Sequence, residues 1–524
     1  MTTVRVFALA CMVSLVALCG PGVARAETVV VAVASDVLDW HPGRSRSAAD
    51  SALLDNVLER LVALDRSGAP VPALAVSWWL VTADTWEFQL RPDVHFDDGT
   101  PFDAEVARRN LLVQRDDLRA ASRTWLRSIV DVEAVDASTL RVHTDGHVPE
   151  LPVALAWAGR MAPLTAAALD VGYPQALLAQ PIGTGPYRLV AWERGRSLVF
   201  ERRDAWWGDP PDARRVEVRI VSDVTARADA LLSGSVDVAM DVAAADVARL
   251  SAAGIDVARA PGQRIAYLFL DSYRSRGGPP PEGSPGIVDG TPNPLRDARV
   301  RDALSLAIDR TALAERVHAG AVTPVSRPAL PGWTPIADAR RAQHDPDEAR
   351  RSLALAGFAD GFDLTVVVLE GQTPRARETI EALADDWAAI GVRVAIETPA
   401  PADAARRYGQ LEVSVGLMSW GGMSARVTAW RGMFGSDPAA GTFGGQNVGR
   451  FVDPEVNSLL ARLGTPLDPQ ARTQAEITLV AAFERTTPIV PLFVVDTVVA
   501  VSEPWAVTAS GVELVPFTDL ERRR

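Results

Sequence analysis

Thr85 to Asn110, TWEFQLRPDVHFDDGTPFDAEVARRN, constrains this chain more than any other stretch. Trp86, Phe88 and Leu90 alternate with Glu87, Gln89 and Arg91, and a period of two is a strand with one wet face. Arg91-Pro92-Asp93 stops the strand, because proline has no amide hydrogen to give to a ladder and pre-sets a turn. Val94 to Phe96 predicts a second short extended piece. Asp97-Asp98-Gly99-Thr100 predicts a turn in which glycine takes a positive φ. Asp103 then caps a helix, with Glu105 in its first turn.

The N-terminus has the pattern of an export leader. Arg5 supplies a weak positive region, Val6 to Leu18 an apolar run too short to span a membrane, and Ala24-Arg25-Ala26 a cleavage site. A leader over 1–26 and a mature start at Glu27 are expected; lipid attachment at Cys19 is the alternative, and Leu18 suits it poorly. Cys11 and Cys19 are the chain's two cysteines. The exported part then has no disulfide, thiolate nucleophile or cysteine metal site.

The chain contains no lysine, so all 53 basic residues are arginine. Schiff-base and P-loop lysine chemistry are excluded. Without Arg5 and Arg25 the net charge moves from -13 to about -15. An acidic chain without a basic run argues against nucleic acid and anionic membrane surfaces.

Glu27 to Ala34, ETVVVAVA, is a continuous apolar run of the kind that forms a buried central strand. Ser35 to Pro42 follows as a loop at its carboxyl end, where ligands sit in open α/β sheets. Ala48 to Leu64 predicts a helix, Ile129 to Val142 two strands, and Thr144 to Tyr173 a Pro- and Ala-rich helical segment. Gly183-Thr184-Gly185 is followed by a strand and lacks a third glycine, which excludes a phosphate loop. Val216 to Val221 predicts a strand, and Gln263 to Asp271 a strand entering a new lobe. Asp297 and Asp345 cap helices, the second with Pro346 in first position. Phe362 to Leu369, Arg375 to Ile390 and Val392 to Glu397 predict a strand–helix–strand parallel crossover. Glu412 to Trp420 predicts a buried strand, with Gly421, Gly422, Met423 and Arg426 in the loop at its end.

No HExxH, no GxSxG and no histidine pair at metal spacing on a helix occurs, and all six histidines precede position 345. No catalytic, cofactor or metal residue is assigned, and an exported hydrolase is the remotest reading. Trp40, Trp420 and Trp430 are candidate flat walls of a binding cleft. Core packing is the competing role for each.

The string Trp86 to Val106 resembles the extracytoplasmic solute-binding proteins of peptide, dipeptide and nickel ABC importers. So do PVPALAVSW from Pro70, PIGTGPYRL from Pro181, Trp206-Trp207-Gly208, and the strings at Val452, Asp468 and Thr487. The resemblance implies an α/β bilobal periplasmic-binding-protein fold, type II, of the large cluster with an extra inserted α+β domain. Lobe I would comprise 27–70, 181–262 and 491–524, the inserted domain 71–180 and lobe II 263–490. A hinge would close the lobes on a small peptide or peptide-like solute. The implied partners are an inner-membrane permease and its ATPase subunits, with the receptor a monomer in the periplasm. A metal chelate of the nickel type is the alternative cargo. Peptide-binding members place an aspartate three residues after the tryptophan of the Trp420 strand, to hold the peptide's α-ammonium. Here that position is Met423, and Arg426 adds the opposite charge. Either the ligand does without this clamp, or Met423 is wall and another acid such as Asp437 clamps.

Overall fold

Thr28 to Val33 forms the central strand that the valine run predicts, and Val29, Val31, Ala32 and Val33 are buried. The computed structural model describes residues 28–523 apart from 46–47, 66–68, 281, 332–343, 371–372, 422–425, 438–441, 466 and 508–515. The leader, with Cys11, Cys19 and the Ala24-Arg25-Ala26 site, lies outside the described residues.

Among the described residues one sheet of eleven strands runs through the molecule. Its order is Val392–Glu397, Phe362–Val367, Val415–Trp420, Asp256–Leu270, Ile489–Val501, Val238–Met240, Thr28–Val33, Arg215–Ile220, Ser197–Arg202 and Tyr187–Glu193; Val322–Pro324 also pairs with Ile489–Val501. The strand Thr28–Val33 is parallel to both neighbours, and Phe362–Val367 is parallel to Val392–Glu397 and Val415–Trp420.

Two long antiparallel strands join the halves. Val499 to Val501 pair with Val238–Met240 on one side and Asp256 to Ala258 on the other. Further along, Ile265 to Phe269 keep the strand Ile489–Val501 on one edge, and Ile265 to Leu270 pair with Val415–Trp420 on the other. Between these regions the register slips at Pro261 to Arg264. The sequence rule against proline and glycine inside a strand starts this element at Gln263, yet it begins at Asp256. The bulge reconciles the two, since it takes Pro261 and Gly262 out of the regular ladder. A Cβ on Gly262 would strike the Val495 carbonyl.

Each half has its own apolar core. Leu53, Tyr187, Leu198 and Phe200 pack around the first strand. In the other half Leu268, Leu304, Leu383 and Trp387 pack on one face of the sheet, and Phe269, Tyr408, Phe434 and Phe483 on the other. A separate antiparallel sheet, Ala75–Thr82, Thr85–Leu90, Thr139–Thr144 and Ile129–Ala134, carries the opening motif. Phe88, Phe96, Leu111 and Leu140 form its core. Asp103 caps the helix Ala104–Asp116 as predicted, accepting from the Val106 amide at 2.8 Å. Val94 to Phe96 closes a tight hairpin with Thr100 to Phe102, and Gly99 takes a φ of 86°.

Two expected helices are shorter than predicted. The helix from Ala48 ends at Asp55, and Val62–Leu64 is a strand. The Asn56 and Val57 carbonyls accept from the Tyr187 and Gly185 amides, so the returning segment takes acceptors that a longer helix needs. A Cβ on Gly183 or Gly185 would collide with that backbone, which explains the Gly-Thr-Gly string without a phosphate. From Thr144 to Tyr173 only Leu151–Trp157 and Ala168–Val171 are α-helical, because Gly159 at φ 75° and Pro163 interrupt the chain.

Candidate functional site

Ligands of open α/β sheets bind outside the carboxyl ends of the parallel strands. Here that means the segment after Val33 in one half and the segment after Trp420 in the other.

In the first half the loop is pinned at several points. The Asp36 carboxylate accepts from Trp192 Nε1 at 3.0 Å and from the Gly195 amide at 2.7 Å. Trp40 is fully buried with its ring edge-on to Trp192 and Phe200. It is a core residue, and no cleft wall. His41 is also fully buried, and burial followed by the Arg44 charge lowers its pKa to about 4. The ring is therefore neutral near pH 7, and its 3.4 Å approach to Asp117 is not an ion pair there. Arg44 holds Asp117 at 2.9 Å, and Ser122 donates its amide to the Gly43 carbonyl. Arg160, nearly fully buried, pairs with Asp55 at 2.6 Å and donates to the Pro42 carbonyl. Pro42 to Arg44 is thereby fastened beside two short helices, Arg123–Leu126 and Leu151–Trp157. Each helix presents a half-buried tryptophan, and Trp125 and Trp157 stack at 5.9 Å and 16°.

In the second half Trp420 ends its strand opposite Ile265, half-buried against the core that holds Tyr267 and Trp430. Its indole Nε1 is buried and has no hydrogen-bond partner among the described residues. Arg264 donates to Ser419 Oγ at 3.4 Å, and its guanidinium lies 3.9 Å from where a Cβ on Gly421 would be. Trp430 is fully buried, donates to the Pro328 carbonyl at 2.8 Å and packs on Phe483. It too belongs to the core. Arg426 opens the helix Arg426–Phe434 and pairs with Glu476 at 3.2 Å. Glu476 is 5% exposed, and burial raises its pKa against the pull of Arg426. Gly422 and Met423 lie outside the described residues. Asp437 is exposed in a short hairpin strand.

The two faces touch through Glu150, the residue before the helix Leu151–Trp157. Its carboxylate accepts from the Val427 amide at 3.1 Å, the Thr428 amide at 2.8 Å and Thr428 Oγ1 at 2.9 Å. The sequence reading missed Glu150, Trp125, Trp157, Arg264 and Glu476. One signal was available: glutamate is a poor N-cap, and Glu150-Leu151-Pro152 starts a helix without a better one. Glu150 makes no side-chain cap to its own helix.

A cavity of about 520 Å³ opens beside Leu38, Asp39, Arg44, Arg119, Leu178 and Arg194. All of its lining lies between residues 38 and 194, so it is not the space beside Trp420. Among the described residues no group of three or more histidine, aspartate or glutamate side chains is arranged to hold a metal, and no helix is long and apolar enough to cross a membrane.

The family model for the middle region of bacterial extracellular solute-binding proteins, family 5, matches residues 69–442. A dipeptide-binding protein of Pseudomonas aeruginosa is 24% identical over 500 residues, covering 88% of this chain and 87% of that protein. Heme-binding protein A of Haemophilus influenzae is 26% identical over 298 residues, 56% of this chain, and the match spans only half of that protein's length. The solved structure of HbpA2 from Haemophilus parasuis superposes with a TM-score of 0.79 at 22% identity, covering 95% of this chain and all of the other. At that identity the likeness establishes the fold.

Proposed function

Because the chain belongs to the family 5 bacterial extracellular solute-binding proteins, we propose that it is the substrate-binding component of an ABC importer, which captures a small peptide or peptide-like solute between two lobes. The lobes are those of the sequence reading: 27–70, 181–262 and 491–524 for the first, 71–180 for the inserted domain and 263–490 for the second. The observation that carries the proposal is one sheet with parallel strands in both halves, joined by two long strands that share a bulge at Pro261 to Arg264. A slip in two crossing strands is where lobes rotate with the least loss of packing. The chain is an exported receptor, cleaved after Ala26, that acts as a monomer and hands its cargo to a membrane permease with ATPase subunits. It catalyses no reaction.

The solute lies against Trp420 on one side and the stacked pair Trp125 and Trp157 on the other. The free indole N–H of Trp420 takes a carbonyl of the solute, since a buried donor without an acceptor costs about 1–3 kcal/mol. Gly421 lies beside the solute, and Arg264 supplies positive charge for an anionic group. Arg426 is already matched by Glu476. Methionine at 423 leaves no carboxylate at the position that clamps an α-ammonium in peptide-binding relatives, so the solute does without that clamp. A second reading follows from the arginine beside an indole: an anionic metal chelate, iron porphyrin included, suits the same pair.

Isothermal calorimetry with one peptide in its free and N-acetylated forms tests the specificity. Similar affinities are expected. A hundredfold preference for the free amine, about 2.7 kcal/mol, would put the clamp on another acid. Heat from a chelate and none from peptides would select the second reading.

A further inference from the structure

Glu150 is set apart by where its carboxylate goes. It stands at the start of the helix Leu151–Trp157 but gives that helix no side-chain cap. Its three hydrogen bonds run instead to Val427 and Thr428, 277 and 278 residues away, in the first turn of the helix Arg426–Phe434. That turn holds unpaired amides and the positive end of the helix dipole, which a carboxylate suits. The charges around the contact are balanced: Arg426 is paired with Glu476, and Arg431 also lies within the field of Glu150. A peptide's terminal carboxylate would suit the same turn, but the protein fills it with its own.

We infer that Glu150 is a latch: a positioning residue that holds the inserted domain against the helix Arg426–Phe434, so that the lobes close in part without solute and the apparent affinity is set partly by this contact. The inference rests on the two-lobe reading above. Closure that the protein supplies itself removes part of the conformational cost from solute binding. It also bars the solute's carboxylate from this helix end.

The test uses energy transfer between dyes. Leu118 and Leu355 are 80% and 74% exposed, one in the inserted domain and one in the far half. A chain started at Glu27 lacks Cys11 and Cys19, so Leu118→Cys and Leu355→Cys supply its only thiols. Transfer is measured without solute in this parent, in Glu150→Ala, in Glu150→Gln and in Thr428→Trp, which drives a wedge into the contact. Glu150→Ala should raise the open-to-closed ratio by about tenfold. Glu150→Gln, which keeps one acceptor, should do so less, and the wedge should open the chain fully. If the wedge changes transfer while both Glu150 variants match the parent, the latch is wrong and the hinge stands. If the wedge also changes nothing, the two-lobe reading fails with it. Should Glu150→Ala not fold, Glu150→Gln alone decides, and unchanged transfer overturns the latch.

Discussion

Glu59 is a carboxylate enclosed by indoles. Trp206 and Trp207 donate to its two oxygens at 3.1 and 2.9 Å, which fastens the Trp-Trp-Gly string onto the turn after the helix Ala48–Asp55. Burial pushes its pKa up to about 7, against the pull of its hydrogen bonds from Trp207 and Trp206. A carboxyl raised above its unfolded value adds stability below about pH 4.5, and that contribution is lost as pH rises through about 7. Wild type should therefore lose about 1–3 kcal/mol between pH 5 and 7.5 relative to Glu59→Gln, read by urea denaturation at several pH values. Parallel pH profiles would remove Glu59 from the account. The absence of lysine also has a structural side. Arg301 and Arg310 are buried with donor forks aimed at main-chain carbonyls, of Thr487 and Leu295 and of Pro491 and Ser305. Burial pulls both pKa values down to about 10, which leaves the charge intact. Five planar donors suit such carbonyl cages, and a lysine would leave most of them empty.

Local chemistry made many elements legible in advance. The Trp86 strand, the Asp103, Asp297 and Asp345 caps, and the parallel strands around the Arg375 helix all form as side-chain pattern and capping predict. What was not legible depends on tertiary partners. The helix from Ala48 stops because Gly185 and Tyr187 claim its carbonyls, and no local pattern records that. The strand Asp256–Leu270 runs through Pro261 and Gly262 because its partner bulges with it. The same limit governed the site. Residue type alone does not distinguish Trp40 and Trp430 from Trp420, and only the packing separates two core rings from the half-buried one. At Gly262 the element scale offers its own prediction. Gly262→Ala would push a Cβ into the Val495 carbonyl, so it should cost about 1–3 kcal/mol on thermal unfolding. Gly445, where a Cβ meets nothing within 4 Å, is the control. Equal tolerance at both sites would mean that the crossing strands are not held as tightly as described.

At the scale of the whole molecule, one sheet passes through two cores and narrows to two strands between them. In the proposed function, rotation about that waist would move Trp420 and Arg264 relative to Trp125, Trp157 and Glu150 and leave both cores packed. Capture by closure is the proposal this architecture supports, with the cargo selected by the few side chains on each face. Small-angle scattering of the chain tests this most directly. Bound solute is first removed by unfolding and refolding, then the solute that co-purifies from the host, identified by native mass spectrometry, is added back to saturation. The radius of gyration should fall on addition. An unchanged radius with calorimetry proving full occupancy would contradict closure between two lobes.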